Sequence, residues 1–74
     1  MNIKVKKRSG EVFAAFTDEI GYNGKILCYS LQDDTHFDAD KDYINRSVKV
    51  RDQETINDML RALKSRGYRN VVII

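Results

Sequence analysis

The sequence has no proline, no tryptophan and a single cysteine. Because Cys28 has no second thiol to pair with, no disulfide can form within the chain, and we expect this residue to pack in the core. The absence of proline, of repeats and of low-complexity tracts argues against a second domain. We therefore predict one small domain over residues 1–74.

Long apolar runs are also missing. No stretch approaches the roughly 20 apolar residues that a helix needs to cross a bilayer, and residues 1–8 lack the apolar run of a signal peptide. We therefore expect a cytoplasmic protein that does not enter the membrane. A chain of this size buries only about 60% of its unfolded surface, so it gains from a ligand or a second copy, and a homodimer is one such arrangement.

Charge is nearly balanced at a formal net +2, but its distribution is uneven. The first eight residues are basic, the segment from Asp33 to Asp42 is acidic, and the segment from Arg46 to Arg69 is basic again. The folded molecule is therefore expected to be electrostatically polarised.

The first half of the chain carries the pattern of three strands. Ile3 and Val5 alternate with lysines, Ser9 and Gly10 provide a turn, and residues 11–17 resume an apolar run, which together predict a β-hairpin. Phe13 and Phe16 lie on opposite faces of a regular strand, so we expect both faces of the sheet to be covered. A loop over residues 18–24 and a third strand over residues 25–31 follow.

The second half is predicted to contain one helix between two strands. Residues 32–42 are mostly polar and are expected to be irregular, and residues 48–51 alternate as a fourth strand. Asp52 is placed to cap a helix that ends near Gly67. The final segment, 68–74, is predicted to be a strand buried on both faces. The apolar face of the predicted helix consists of Ile56, Met59, Leu60 and Leu63.

The predicted fold class is therefore α+β, with the order β-β-β-β-α-β. We expect a mostly antiparallel sheet of four or five strands with one helix packed on one face. The terminal strand–helix–strand run predicts a right-handed crossover and a parallel pair.

The acidic segment is the sharpest local feature. Asp38, Asp40 and Asp42 have the spacing of the first ligands of a calcium loop, which makes a weak divalent-metal site one hypothesis. The sixth and twelfth positions are Tyr43 and Lys49, where such a loop needs glycine and glutamate. A solvated acidic loop is the simpler interpretation.

Nothing completes a catalytic set around the one histidine. His36 has carboxylates beside it, but there is no serine elbow and no glycine-rich phosphate loop. We therefore predict that the protein is not an enzyme and needs no cofactor.

The expected function is non-enzymatic binding, with a protein as the preferred partner and nucleic acid as the alternative. The protein partner would be recognised by the 33–43 segment or by an exposed sheet edge; a mimic of nucleic-acid charge belongs to this class too. Nucleic acid would be bound with basic strand residues on phosphates and tyrosines on unpaired bases. The residues predicted for protein binding are His36, Asp38, Asp40 and Tyr43. Those predicted for nucleic-acid binding are Lys4, Lys6 and Arg8.

Four short motifs carry a resemblance to a known group. They are VFA-F at residues 12–16, CYS at residues 28–30, AD-DY at residues 39–43 and L--L---GY at residues 60–68. In this order they resemble a group of short uncharacterised proteins of bacteria, phages and mobile elements. The resemblance implies a bacterial or phage origin, a cytoplasmic accessory role and no cofactor.

Overall fold

The computed structural model describes residues 1–74 and contains six strands and two helices. The six strands form one mixed sheet in the order β4-β3-β2-β1-β5, with β6 paired to β1 beside β5. All pairs are antiparallel except β1 with β6. The predicted α+β class is confirmed. In chain order the elements are β1 (Asn2–Arg8), β2 (Glu11–Ile20), β3 (Ile26–Ser30), β4 (Thr35–Ala39), α1 (Lys41–Arg46), β5 (Val48–Lys49), α2 (Gln53–Ser65) and β6 (Val72–Ile73), with a 3₁₀ turn at Tyr22–Gly24 between β2 and β3.

The predicted hairpin joins β1 to β2. Ser9 and Gly10 both have positive φ, at 50° and 81°, which is the backbone of the two-residue turn that matches strand twist. Arg8 and Glu11 form the last cross-strand pair before that turn. Local turn chemistry is sufficient to define this hairpin.

Both faces of the sheet are covered, as predicted. Phe16 belongs to a buried cluster beneath α2, which we call the α2-side core. Phe13 belongs to a second buried cluster on the opposite face, which we call the α1-side core. The α2-side core consists of Ile3, Val5, Val12, Ala14, Phe16, Tyr29, Met59 and Leu63. The α1-side core consists of Phe13, Ala15, Ile26, Cys28, Ala39 and Ile44.

Helix α2 begins and ends where the sequence predicts. The Asp52 carboxylate accepts hydrogen bonds from the Thr55 amide and hydroxyl at 2.9 and 2.6 Å, and these bonds lower the pKa of Asp52. At the other end, the Gly67 and Tyr68 amides donate to the Lys64 and Leu63 carbonyls. This pair of bonds is a Schellman motif, and it requires the positive φ that Gly67 adopts at 94°.

The buried face of α2 is narrower than the predicted one. Met59 and Leu63 are completely buried, whereas Ile56 and Leu60 are only partly buried. Ala62 packs against the core instead. Helix α2 is therefore rotated about its own axis, so that Met59 and Leu63 face the centre of the sheet.

The prediction of an irregular segment over residues 32–42 was wrong. Residues 35–39 form the edge strand β4, which pairs along its full length with β3. Phe37 and Ala39 alternate with polar residues and reach the α1-side core. The expected single helix was also wrong in number, because residues 41–46 form α1, which buries Ile44 against that core.

The predicted final strand is shorter and more exposed than expected. Strand β6 pairs in parallel with β1 and lies on an edge, with Val72 51% exposed. It does not pair with β5 and runs in the opposite direction to it, because β1 is antiparallel to β5 and parallel to β6. The predicted right-handed crossover between parallel strands was therefore wrong, and the parallel pair is β6 with β1. The cause is that β5 and β6 divide the outer edge of β1, with β5 facing Lys6 and Lys7 and β6 facing Asn2 and Ile3. Neither helix is long and apolar enough to cross a membrane.

Candidate functional site

Strand β1 presents three of its four basic residues on one face of the sheet. Ile3 and Val5 are buried in the α2-side core. Because side chains alternate along a strand, Lys4, Lys6 and Arg8 lie on the opposite face, the one that carries α1. The pairing of Lys6 with Lys49 of β5 adds a further cation to this face.

Helix α1 covers only part of this face, and a groove remains between the helix and the β5–β6 edge. One depression of about 220 Å³ is lined by Lys4, Thr17, Ile26, Lys41, Ile44 and Asn45. A second, of about 120 Å³, is lined by Lys4, Lys6, Lys49 and Ile74. Lys4 borders both depressions, so they adjoin, and we call the two together the basic groove. Its cations are Lys4, Lys6, Lys41 and Lys49.

None of these cations is neutralised within the protein. The structure contains two ion pairs within 4.0 Å, Arg61 with Asp58 and Arg66 with Asp34, and neither is in the groove. The Lys6 ammonium donates to the Ser47 carbonyl at 3.5 Å. Lys4 and Lys6 are partly buried. Lys6 and Lys49 are directly opposite each other on neighbouring strands, and like charges in such a pair repel, so a bound anion would reduce this repulsion.

Arg8 lies at the end of this row and contacts an aromatic ring. Its guanidinium lies 5.0 Å from the centroid of the Tyr43 ring, within cation–π distance. The Tyr43 ring itself packs against Phe13, with centroids 5.5 Å apart. Tyr43 therefore serves to position Arg8, and its ring face is not open for stacking on a base.

A second groove with the opposite charge lies near the β4 edge. It has a volume of about 320 Å³, and we call it the acidic groove. Three carboxylates and one lysine border it. The lining residues are Glu11, Lys25, Phe37, Asp38, Ala39, Asp40 and Tyr43.

The structure brings three of the four predicted protein-binding residues together. Asp38, Asp40 and Tyr43 line the acidic groove. His36 does not line this groove; it is paired with Tyr29, and its ring contacts Phe16, Tyr29 and Tyr68 on the α2 side of the sheet.

No three histidine, cysteine, aspartate or glutamate side chains lie together in a way that could hold a metal ion. The spacing of Asp38, Asp40 and Asp42 suits a tightly curled loop. Here Asp38 lies on the extended strand β4, Asp40 precedes α1, and Asp42 lies in the first turn of that helix. The calcium-loop geometry is therefore not formed.

His36 instead belongs to a tether between the β3–β4 hairpin and the end of α2. Its Nε2 atom lies 2.6 Å from the Tyr68 hydroxyl. Arg66 donates from Nε to the Asp34 carboxylate at 2.9 Å, and the Tyr29 hydroxyl donates to the same carboxylate. These contacts lower the pKa of Asp34, with the bond from Arg66 first among the causes. Burial, followed by the bond to Asp34, raises the pKa of Tyr29.

Cys28 packs in the α1-side core, as predicted. Desolvation, with a smaller contribution from the charge of Asp38, raises the pKa of its thiol to about 12. A neutral, buried thiol of this kind is not a nucleophile at neutral pH.

The sequence predicted Lys4 and Lys6 for nucleic-acid binding but not the other residues that line the basic groove with them. Lys41, Lys49 and Ile74 come from three other segments. The alternation of residues 48–51 predicted which side chains of that strand share a face, but only the pairing with Lys6 places Lys49 beside β1.

No known protein family, curated protein or solved structure matches the chain.

Proposed function

We propose that the protein binds nucleic acid through the basic groove, without catalysing a reaction. The observation that carries the proposal is the set of uncompensated cations, none of which has a carboxylate within 4.0 Å. Lysines that contact phosphates release condensed counterions from a nucleic acid, and this release drives binding. The bacterial or phage origin implied by the sequence motifs would place this binding in the cytoplasm.

The arrangement of the groove lysines along β1 supports a row of phosphate contacts. Lys4 and Lys6 follow β1 at every second residue, and Lys49 lies beside Lys6 on the neighbouring strand. Lys41 closes the groove from the α1 side. The carboxylates of the acidic groove border a separate depression nearer the β4 edge, so a polyanion on the basic groove does not have to contact them.

The proposal is tested by fluorescence anisotropy with a labelled oligonucleotide between about 50 and 200 mM salt. For a single strand that contacts four lysines, the plot of log affinity against log salt should have a slope of about −3. Lys6→Gln should weaken binding and reduce the slope by about 0.7.

Lys7→Gln is the matched control. Lys7 is the next residue on the same strand and has the same charge, but it is exposed on the opposite face. Equal losses in the two variants would show that binding follows net charge and not the groove, and would overturn the proposal.

A second candidate function is protein binding at the other end of the sheet. Strand β4 is the terminal strand and pairs only with β3, so its outer edge is open to strand addition. Thr35, His36 and Asp38 on this strand are exposed, and the acidic groove adjoins it.

This second candidate is tested with Asp38→Asn combined with Asp40→Asn, in capture of partners from host extract. A specific partner should be lost with this pair and kept with Asp33→Asn, which removes one acid from the turn before β4. Retention of the partner by both variants would show that the acidic groove does not take part in partner binding.

A further inference from the structure

Two exposed apolar side chains lie beside the lysines of the basic groove. Val72 is 51% exposed and Ile74 is 43% exposed. Val72 is paired with Asn2, which is in phase with Lys4 and Lys6, so Val72 and Ile74 lie on the same face as these lysines. Ile74 directly lines the groove with Lys4, Lys6 and Lys49.

Phosphate contacts alone do not account for this apolar border. Exposed apolar side chains beside a row of cations suit a ligand that brings apolar surface together with its charges. A single nucleic-acid strand does so, because its unpaired bases present their faces to the protein. In a duplex the base faces are stacked inside, and the outer surface offers mainly sugar and phosphate.

The shape of the groove favours the same ligand. Lys4 and Lys6 are partly buried between α1 and the β5–β6 edge. A flexible single strand can follow small depressions of about 220 and 120 Å³ more closely than a rigid duplex or a flat lipid surface can, although a lipid surface shares the combination of anionic and apolar groups.

We infer that the basic groove binds single-stranded nucleic acid, with phosphates on Lys4, Lys6 and Lys49 and bases against Val72 and Ile74. This inference rests on the proposed function and narrows its ligand. Two kinds of side chain then have separable roles. The lysines determine the salt dependence of binding, and the two apolar residues determine the preference for unpaired bases.

The test compares a labelled oligo(dT) 12-mer with the same strand in a dA·dT duplex. The wild-type protein should bind the single strand at least about tenfold more tightly. Val72→Ser and Ile74→Ser should each weaken single-strand binding by roughly threefold to tenfold and leave the salt slope unchanged. Thermal melting of each variant confirms that it folds.

Val48→Ser is the matched control, because Val48 is 70% exposed but is paired with Lys7 and lies on the opposite face. It should leave binding unchanged. Duplex binding as tight as single-strand binding would overturn the inference and leave the proposed function standing. Absence of binding to both oligonucleotides would overturn both. Tighter binding to vesicles of anionic phospholipid, lost in Val72→Ser and Ile74→Ser, would assign the groove to a membrane surface and overturn both as well.

Discussion

The two faces of the sheet are covered to different extents. On one face, the 13-residue helix α2 lies over a core that reaches from β1 to β3. On the other, the six-residue helix α1 packs on the residues of β2, β3 and β4, and the β1 part of that face stays open. The open part carries lysines where the covered part carries apolar residues. A helix too short to cover a sheet thus leaves a groove, and the charge of the groove comes from the phase of β1 together with Lys41 of α1 and Lys49 of β5.

The largest expected effect tests how completely α2 covers its face. Met59→Ala should lower the free energy of unfolding by about 2–5 kcal/mol, because it leaves a cavity in a fully buried site. Ile56→Ala, on the same helix but only partly buried, should cost less than about 1.5 kcal/mol. Urea unfolding followed by circular dichroism measures both. Equal costs would show that the helix is not rotated as described.

A smaller effect is expected from the short helix. Ile44→Ala should destabilise the protein by about 2 kcal/mol, since Ile44 is the one buried residue of α1. It should also weaken oligonucleotide binding several-fold, because Lys41 and Asn45 border the groove from this helix. Met59→Ala, compared at a temperature where both variants are folded, should leave binding unchanged. Loss of oligonucleotide binding in both variants would show that binding follows the overall stability of the fold and not the position of α1.

A third test concerns the tether between the β3–β4 hairpin and the end of α2. The folded state lowers the pKa of Asp34 through Arg66 and Tyr29. The ionised carboxylate therefore stabilises the fold above the ordinary carboxyl pKa, and this contribution is lost as pH falls through the lowered value. The melting temperature of Asp34→Asn should be below that of wild type at pH 7, and the difference should vanish in acid. A difference independent of pH would mean that Asp34 acts through shape and not through charge.

The smallest expected effect tests whether the acidic groove repels a nucleic acid bound in the basic groove. Asp38→Asn combined with Asp40→Asn should strengthen oligonucleotide binding by about twofold at low salt, because two long-range repulsions are removed. The gain should disappear at high salt, where charges farther apart than the Debye length are screened. A gain that persists at high salt would indicate direct contact of the ligand with the acidic groove.

The features predicted from sequence are those determined within a few residues of chain. Ser9 and Gly10 form the first turn through their own backbone preference, and Asp52 and Gly67 define α2 through local capping. The alternation of Lys4 and Lys6 with buried neighbours predicted which residues share a face. In each case the determining contacts are close in sequence.

The features that escaped prediction depend on partners far along the chain. Phe37 and Ala39 are two isolated apolar residues in a polar segment, and only pairing with β3 makes them a strand. The bond between His36 and Tyr68 spans 32 residues, as does that between Asp34 and Arg66. Ile74 reached the groove through the pairing of β6 with β1, not the pairing expected with β5.

The division of the β1 edge has a consequence for how the chain folds. The Val72 and Ile74 amides donate to the carbonyls of Met1 and Ile3, so residues about seventy positions apart close the same stretch of ladder. Such closure is slow, because a long loop loses conformational entropy before the new contact stabilises the chain. Until then β1 presents an unpaired border that invites intermolecular pairing. The pairing of β6 with β1 should therefore be among the late folding events.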